Sequence, residues 1–145
     1  MKGFFKPKNP HKYKGDPTRI VYRSSYELKF MSFCDSQTNI LRWSSEEFFI
    51  PYRSSIDGKI HRYFPDFWVE KKTVDGGIEI DVIEVKPSHE TLQPKMQTKM
   101  SKRYLYEVKT WVINNDKWAA ASKWCEERRW NFRILTEYEL GIKKR

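Results

Sequence analysis

At 145 residues, the chain is long enough for one domain with a real core and too short for two ordinary ones. Its formal charge of +9, from 28 Lys and Arg against 19 Asp and Glu, is unevenly spread. No apolar run approaches the length of a bilayer span, Met1–Pro10 has no leader pattern, and Cys34, Cys125 and the scattered His11, His61 and His89 fit neither a disulfide framework nor a zinc motif. Cytoplasmic synthesis and buried reduced thiols are the expectation.

The first segment, residues 1–23, holds Lys2, Lys6, Lys8, Lys12, Lys14, Arg19 and Arg23 against Asp16 alone. With Gly3, Pro7, Pro10, Gly15 and Pro17 interspersed, it reads as a basic extended arm without a core of its own. It could track a phosphate backbone, with Lys6, Lys8, Lys12 and Lys14 as candidate DNA contacts. A strap onto an acidic protein surface and a solubilising tail are the other readings. Phe4, Phe5 and Tyr13 argue against a passive tail, since exposed aromatic rings usually find something to stack on.

The main domain is expected over residues 24–140. Ser24 to Asp35 reads as a helix with Glu27, Phe30, Met31 and Cys34 on one face. A carboxylate among apolar neighbours is costly unless it meets a cation, so Glu27 is a candidate site residue. Ser24-x-x-Glu27 is also a capping box, in which Glu27 needs no metal. Asn39 to Tyr52 suggests a strand interrupted near Ser44-Ser45, with a turn through Asp57-Gly58. His61 to Val69 reads as the next strand, with Pro65 marking a bend or bulge because it cannot donate a ladder hydrogen bond. His61 and Arg62 at its start are candidate DNA contacts.

Val74-Asp75-Gly76-Gly77 supplies the turn into a strand from Ile78 to Lys86. A helix, continuous or broken, is expected from Thr91 or Gln93 to about Ile113, with Lys95 and Lys99 as further candidate phosphate contacts. Asn115 then reads as the N-cap of a last helix, Asp116 to Arg129, which packs Trp118, Ala121 and Cys125 inward. Asn131 to Thr136 is a short apolar strand expected parallel to Ile78–Lys86, with the helix as crossover. Gly141 to Arg145 is a basic tail.

The chemistry concentrates in Pro65-Asp66 and Glu84-Val85-Lys86. Successive side chains on a strand point to opposite faces, so Glu84 and Lys86 project together while Ile83 and Val85 face the other way. If the two strands pair with Asp66 across from Glu84, the two carboxylates could hold Mg²⁺, which takes one or two protein carboxylates and leaves other positions to phosphate and water. Lys86 could then orient a water or neutralise charge developing on phosphate. The alternative is an exposed ion pair of little energetic weight.

Glu27 in a first helix, Pro65-Asp66 in one strand and Glu84-Val85-Lys86 in the next resemble the PD-(D/E)XK nuclease superfamily. Within it, Gly58–Phe67, Ile83–Pro87 and Ile134-Leu135-Thr136-Glu137 resemble the TnsA-type endonucleases. The small size, basic N-terminus and Trp-rich helix ending in Trp130-Asn131-Phe132 are similar to the head completion nucleases of T-even-type tailed phages. The resemblance implies an α/β, restriction-endonuclease-like αβββαβ core with a central mixed sheet flanked by helices. It implies metal-dependent hydrolysis of double-stranded DNA with Mg²⁺ or Mn²⁺, phage head or neck proteins as partners, and the infected host's cytoplasm or the virion head or neck as location. Asp66, Glu84 and the Val85 backbone carbonyl would be the metal ligands, Lys86 the catalytic lysine and Glu27 the first-helix acid. One departure stands out: where some subfamilies carry Gln-x-x-x-Tyr, Gln97 is followed four positions later by Ser101, so no glutamine role is carried over. A DNA-binding neck protein with an inactive nuclease fold, and a restriction, junction-resolving or transposon-end nuclease, are the rival readings of the same residues.

Overall fold

A computed structural model describes all residues, Met1–Arg145. In chain order the elements are β1 (Gly3–Phe5), β2 (Ile20–Tyr22), α1 (Ser25–Ser36), β3 (Ile40–Ser45), β4 (Ile50–Arg53), β5 (Ile60–Tyr63), β6 (Phe67–Lys72), β7 (Ile78–Val85), α2 (Lys102–Glu127) and β8 (Asn131–Leu135), with short 3-10 turns at Pro10–Lys12 and Ser88–Thr91. The central sheet has the order β3-β6-β7-β8. β3, β6 and β7 run antiparallel, and β8 lies parallel to β7 with Val85 beside Leu135. Helix α2 is the long connection a parallel pair requires. Removing β1, β2 and the β4–β5 ribbon leaves α1-β3-β6-β7-α2-β8, an αβββαβ core with a helix on each side of a mixed sheet.

Strand alternation decides which side each residue serves. Phe67, Val69, Ile83 and Val85 pack with Phe30, Met31 and Cys34 of α1, whereas Trp68 and Val82 pack with Cys125 of α2. Ile50, Tyr52 and Tyr63 of the ribbon close over Trp118 and Ala121. β7 therefore carries apolar residues on both faces, Val82 toward α2 and Ile83 and Val85 toward α1, as a central strand covered on both sides does.

The N-terminal segment does not stand apart as an extended arm. β1 pairs with β2, and Tyr13 and Ile20 belong to the main core. The Tyr13 ring lies edge-on to Trp43 at 4.7 Å, and its hydroxyl accepts from the Ser45 amide at 3.2 Å and donates to Glu47 at 3.0 Å. Lys12 is buried and donates to the carbonyls of Asp35 and Gln37 at the end of α1, at 3.1 and 2.7 Å. Composition alone argues against a core here; the aromatic and aliphatic side chains between the prolines supply one by packing on the domain.

Three element boundaries also differ from expectation. The strand expected over Asn39–Tyr52 is two strands in separate sheets, divided at Glu46, whose φ of 51° turns the chain out of the extended region. The strand expected over His61–Val69 is divided at Pro65, where the bend was expected, into β5 and β6. The two helices expected after residue 91 are a single α2. Ser101 caps it by accepting from the Tyr104 amide at 3.1 Å, and Asn115 lies inside it, donating to the Trp111 carbonyl at 2.8 Å. A mid-helix Asn satisfied by the preceding turn does not start a new helix, whereas Ser101 follows a stretch, Leu92–Met100, with no regular structure.

Candidate active site

The register of β6 on β7 answers what the sequence left open. Phe67 pairs with Ile83, so one step further along the same register Asp66 stands beside Glu84. Pro65, fully buried, ends the ribbon and delivers Asp66 to this edge. Asp66 Oδ2 accepts from the Val85 amide at 2.7 Å, which fixes the carboxylate and leaves Oδ1 without a protein partner. Glu84 is buried, and its Oε1 accepts from the Tyr63 hydroxyl at 2.5 Å. Lys86 Nζ lies 3.8 Å from Glu84 Oε2, as same-face residues of one strand should.

The electrostatics follow from two carboxylates sharing a desolvated edge. Burial first, then the charge on Glu84, lifts Asp66 well above the usual carboxylate range, against the Val85 hydrogen bond that lowers it; Glu27 and Glu46 add to the rise. Burial also lifts Glu84, against the Tyr63 hydroxyl, Lys86 and Lys117, which favour its charged form. Like charges placed this way oppose each other unless a cation joins them. Asp66 and Glu84, with one Asp66 oxygen free of protein partners, are a donor set of the kind hard divalent cations take. The acids form a pair rather than a closed cage: no three Asp, Glu, His or Cys side chains converge to ligate an ion. An ion held by two carboxylates alone would leave its other positions to water and phosphate, as Mg²⁺ prefers.

Glu27 makes the contacts of the cap that Ser24-x-x-Glu27 predicts. Its amide donates to the Ser24 hydroxyl oxygen at 3.1 Å, and its carboxylate takes the Ser24 hydroxyl at 3.3 Å and the Arg23 amide at 3.2 Å. This is a capping box that reaches one residue further back than usual. The same carboxylate lies near enough to Asp66 and Glu84 to raise both.

Four neighbours of the acids escaped sequence reasoning. Tyr63 and Lys117 flank Glu84, with the Lys117 ammonium 5.7 Å from the Tyr63 ring centre. Arg23 and Glu46 form an ion pair near Asp66, and the Glu46 amide donates to the Asp66 carbonyl at 3.2 Å. Tyr63 could not have been found from alternation, which puts it on the opposite face from Asp66; the break into separate β5 and β6 strands brings its hydroxyl to Glu84. Nor could Lys117, because its position depends on how α2 crosses the sheet.

The candidate DNA contacts separate by exposure. Lys6, Lys8, Lys14, His61, Arg62, Lys95 and Lys99 are exposed and Lys12 is buried. Lys14 Nζ stands 4.4 Å from the Trp68 ring centre, and His61 is paired with Asp57 at 2.8 Å.

The TnsA-like endonuclease N-terminal family matches the chain over residues 37–137, which takes in β3 through β8 and both motif segments. The chain belongs to this family. It is also 42% identical over 139 residues to the head completion nuclease of Enterobacteria phage T4, covering 93% of this chain and 90% of that protein. The αβββαβ core is accordingly the restriction-endonuclease-like fold, and Asp66, Glu84 and Lys86 lie within the matched region, where the start of β6 meets the end of β7.

Proposed function

We propose that this protein is a divalent-metal-dependent DNA endonuclease that cuts or trims packaged DNA during phage head completion, before tail attachment. The observation that carries the reading is the Asp66–Glu84 pair beside Lys86, held by hydrogen bonds that fix its geometry without neutralising its charge. Family membership and the similarity to a head completion nuclease support the same reading. Against an inactive docking role, two partly desolvated acids that repel each other destabilise the metal-free fold, a cost a purely structural protein has no reason to keep.

Asp66 and Glu84, with the Val85 carbonyl, would hold Mg²⁺ or Mn²⁺. Such an ion, when bound, polarises a phosphodiester and lowers the pKa of a coordinated water. The Val85 amide keeps Asp66 oriented, and the Tyr63 hydroxyl does the same for Glu84. The Lys86 ammonium is placed to position an attacking water or to stabilise charge on the phosphate. Glu27 adds negative charge at the α1 side of the edge and so favours a cation there. Lys6, Lys8, Lys14, His61, Arg62, Lys95 and Lys99 would meet double-stranded DNA; buried Lys12 is left out. No helix is long and apolar enough to cross a membrane, and action in the infected host's cytoplasm or at the virion head or neck fits the proposed role.

The test is incubation of the purified chain with linear and supercoiled DNA in Mg²⁺ or EDTA, alongside Lys86→Ala. The wild type should cut in Mg²⁺ alone, and Lys86→Ala should cut roughly 100-fold or more slowly, the loss typical of removing a group that stabilises transition-state charge. Binding without turnover under any metal would reject the enzyme and favour the neck protein.

A further inference from the structure

The β4–β5 ribbon has two unlike faces. Ile50 pairs with Tyr63, Pro51 with Arg62, Tyr52 with His61 and Arg53 with Ile60. Ile50, Tyr52 and Tyr63 turn inward onto α2. The alternation therefore sends Phe49, Pro51 and Arg53, and opposite them Ile60, Arg62 and Phe64, to the other face, and all six are exposed. Phe49, Phe64 and Ile60 are 43%, 45% and 58% exposed, too much for residues that complete a core. The Phe49 and Phe64 rings sit 5.8 Å apart, with the Arg62 guanidinium 4.9 Å from the Phe49 ring centre. Arg53 is steadied by the Gly58 carbonyl at 2.5 Å. None of the six is acidic.

This face runs directly into the active site. Phe64 precedes Pro65-Asp66, and Phe49 follows the loop whose Glu46 amide is bonded to the Asp66 carbonyl. Arginines with no acid among them favour a polyanion over an average protein surface. Adjacent aromatic rings offer faces on which bases stack without regard to sequence. Inside an intact duplex those base faces are already covered by their neighbours. We infer that the outward face of the β4–β5 ribbon is a nucleobase-stacking surface, so that the preferred substrate is DNA with unpaired bases beside the scissile phosphate. Phe49 and Phe64 take the bases, and Arg53 and Arg62 take the flanking phosphates. The inference rests on the nuclease reading above and adds its substrate class.

The experiment places 2-aminopurine, whose fluorescence falls on stacking, either in a single-stranded overhang at a duplex junction or in the middle of a blunt duplex. The full chain and Phe49→Ala/Phe64→Ala are compared in EDTA, with thermal melting to establish that the double variant folds. Phe49→Leu/Phe64→Leu, which keeps apolar bulk without an aromatic face, serves as a second variant. The wild type should quench the overhang probe and spare the paired one, and both double variants should lose most of that quenching. In Mg²⁺ the wild type should cut overhanging or forked DNA roughly tenfold faster than blunt duplex, within the range one stacked base provides, and the variants should cut both alike. Equal quenching by wild type and variants, quenching of the paired probe, or equal cutting of both DNAs by the wild type would overturn the inference. Quenching that depends on the two phenylalanines with no cutting of any DNA would instead sink the nuclease reading while leaving the stacking surface in place.

Discussion

Tyr63 has a neighbour that makes it more than a packing residue. Its hydroxyl donates to Glu84 and so favours the charged carboxylate, while burial works against it. Removing the hydroxyl moves Glu84 further up. Because metal binding needs the ionised form, the acid limb of the cleavage pH profile in Tyr63→Phe should shift toward alkaline pH. The Mg²⁺ concentration for half-maximal rate should rise roughly tenfold, the usual effect of losing a group that orients a metal ligand. A melting temperature that falls with no movement of the pH limb would reduce Tyr63 to packing. Lys117 acts on Glu84 in the same direction through charge alone, without touching it.

At the scale of elements, the N-terminus of α1 carries a question that sequence alone leaves open, since Ser24-x-x-Glu27 suits a cap and a site equally. Glu27→Gln separates the two because the amide keeps a hydrogen-bond acceptor for the Arg23 and Ser24 groups but loses the charge. It should melt like the wild type and cut roughly tenfold more slowly, whereas Glu27→Ala should also lose about 1 kcal/mol of stability with the cap. Wild-type cleavage by Glu27→Gln would make the residue a cap alone. α1 itself was legible because Ser24 and the Phe30, Met31, Cys34 face are local signals, and β7 and β8 were legible from their β-branched and apolar residues. Glu84 and Lys86 were legible as a same-face pair because strand alternation is also local, whereas Asp66 beside them depends on the register of β6 on β7. The continuity of α2 was not: Asn115 carries a capping signal that helix packing overrides, and the break after Ser45 depends on a left-handed backbone at Glu46 that its side chain does not advertise. Arg23, Glu46 and Lys117 reach the acids only through tertiary packing.

The whole molecule shows how composition misleads about the N-terminal segment. Charge and proline suggest a free arm, yet Tyr13 and Ile20 lie in the main core and Lys12 closes the C-terminal end of α1. Deleting residues 1–22 should therefore lower unfolding stability by about 4 kcal/mol, about 2 for each of the two buried side chains. That is a large share of what a domain of this size possesses, and it would appear as a lowered urea midpoint. An unchanged midpoint would return the segment to the status of an arm.

The metal-free fold also bears the strain of its own site. Asp66 and Glu84 are lifted in the folded state, so the native state holds its protons more tightly than the unfolded chain. The stability from this tighter proton binding is present below the ordinary carboxylate range and is lost as pH rises through the lifted folded-state values. At neutral pH the unligated pair thus works against folding, and a cation that binds both acids relieves it. Thermal unfolding of the wild type and Asp66→Asn, each with and without Mn²⁺ at neutral pH, tests the joint site directly. Without metal, Asp66→Asn should melt roughly 3 °C higher than the wild type, the shift that about 1 kcal/mol produces in a chain of this length. Mn²⁺ should raise the wild-type midpoint and leave that of Asp66→Asn unmoved. Equal responses of the two proteins to Mn²⁺, or a metal-free variant that melts below the wild type, would contradict a shared ion between Asp66 and Glu84.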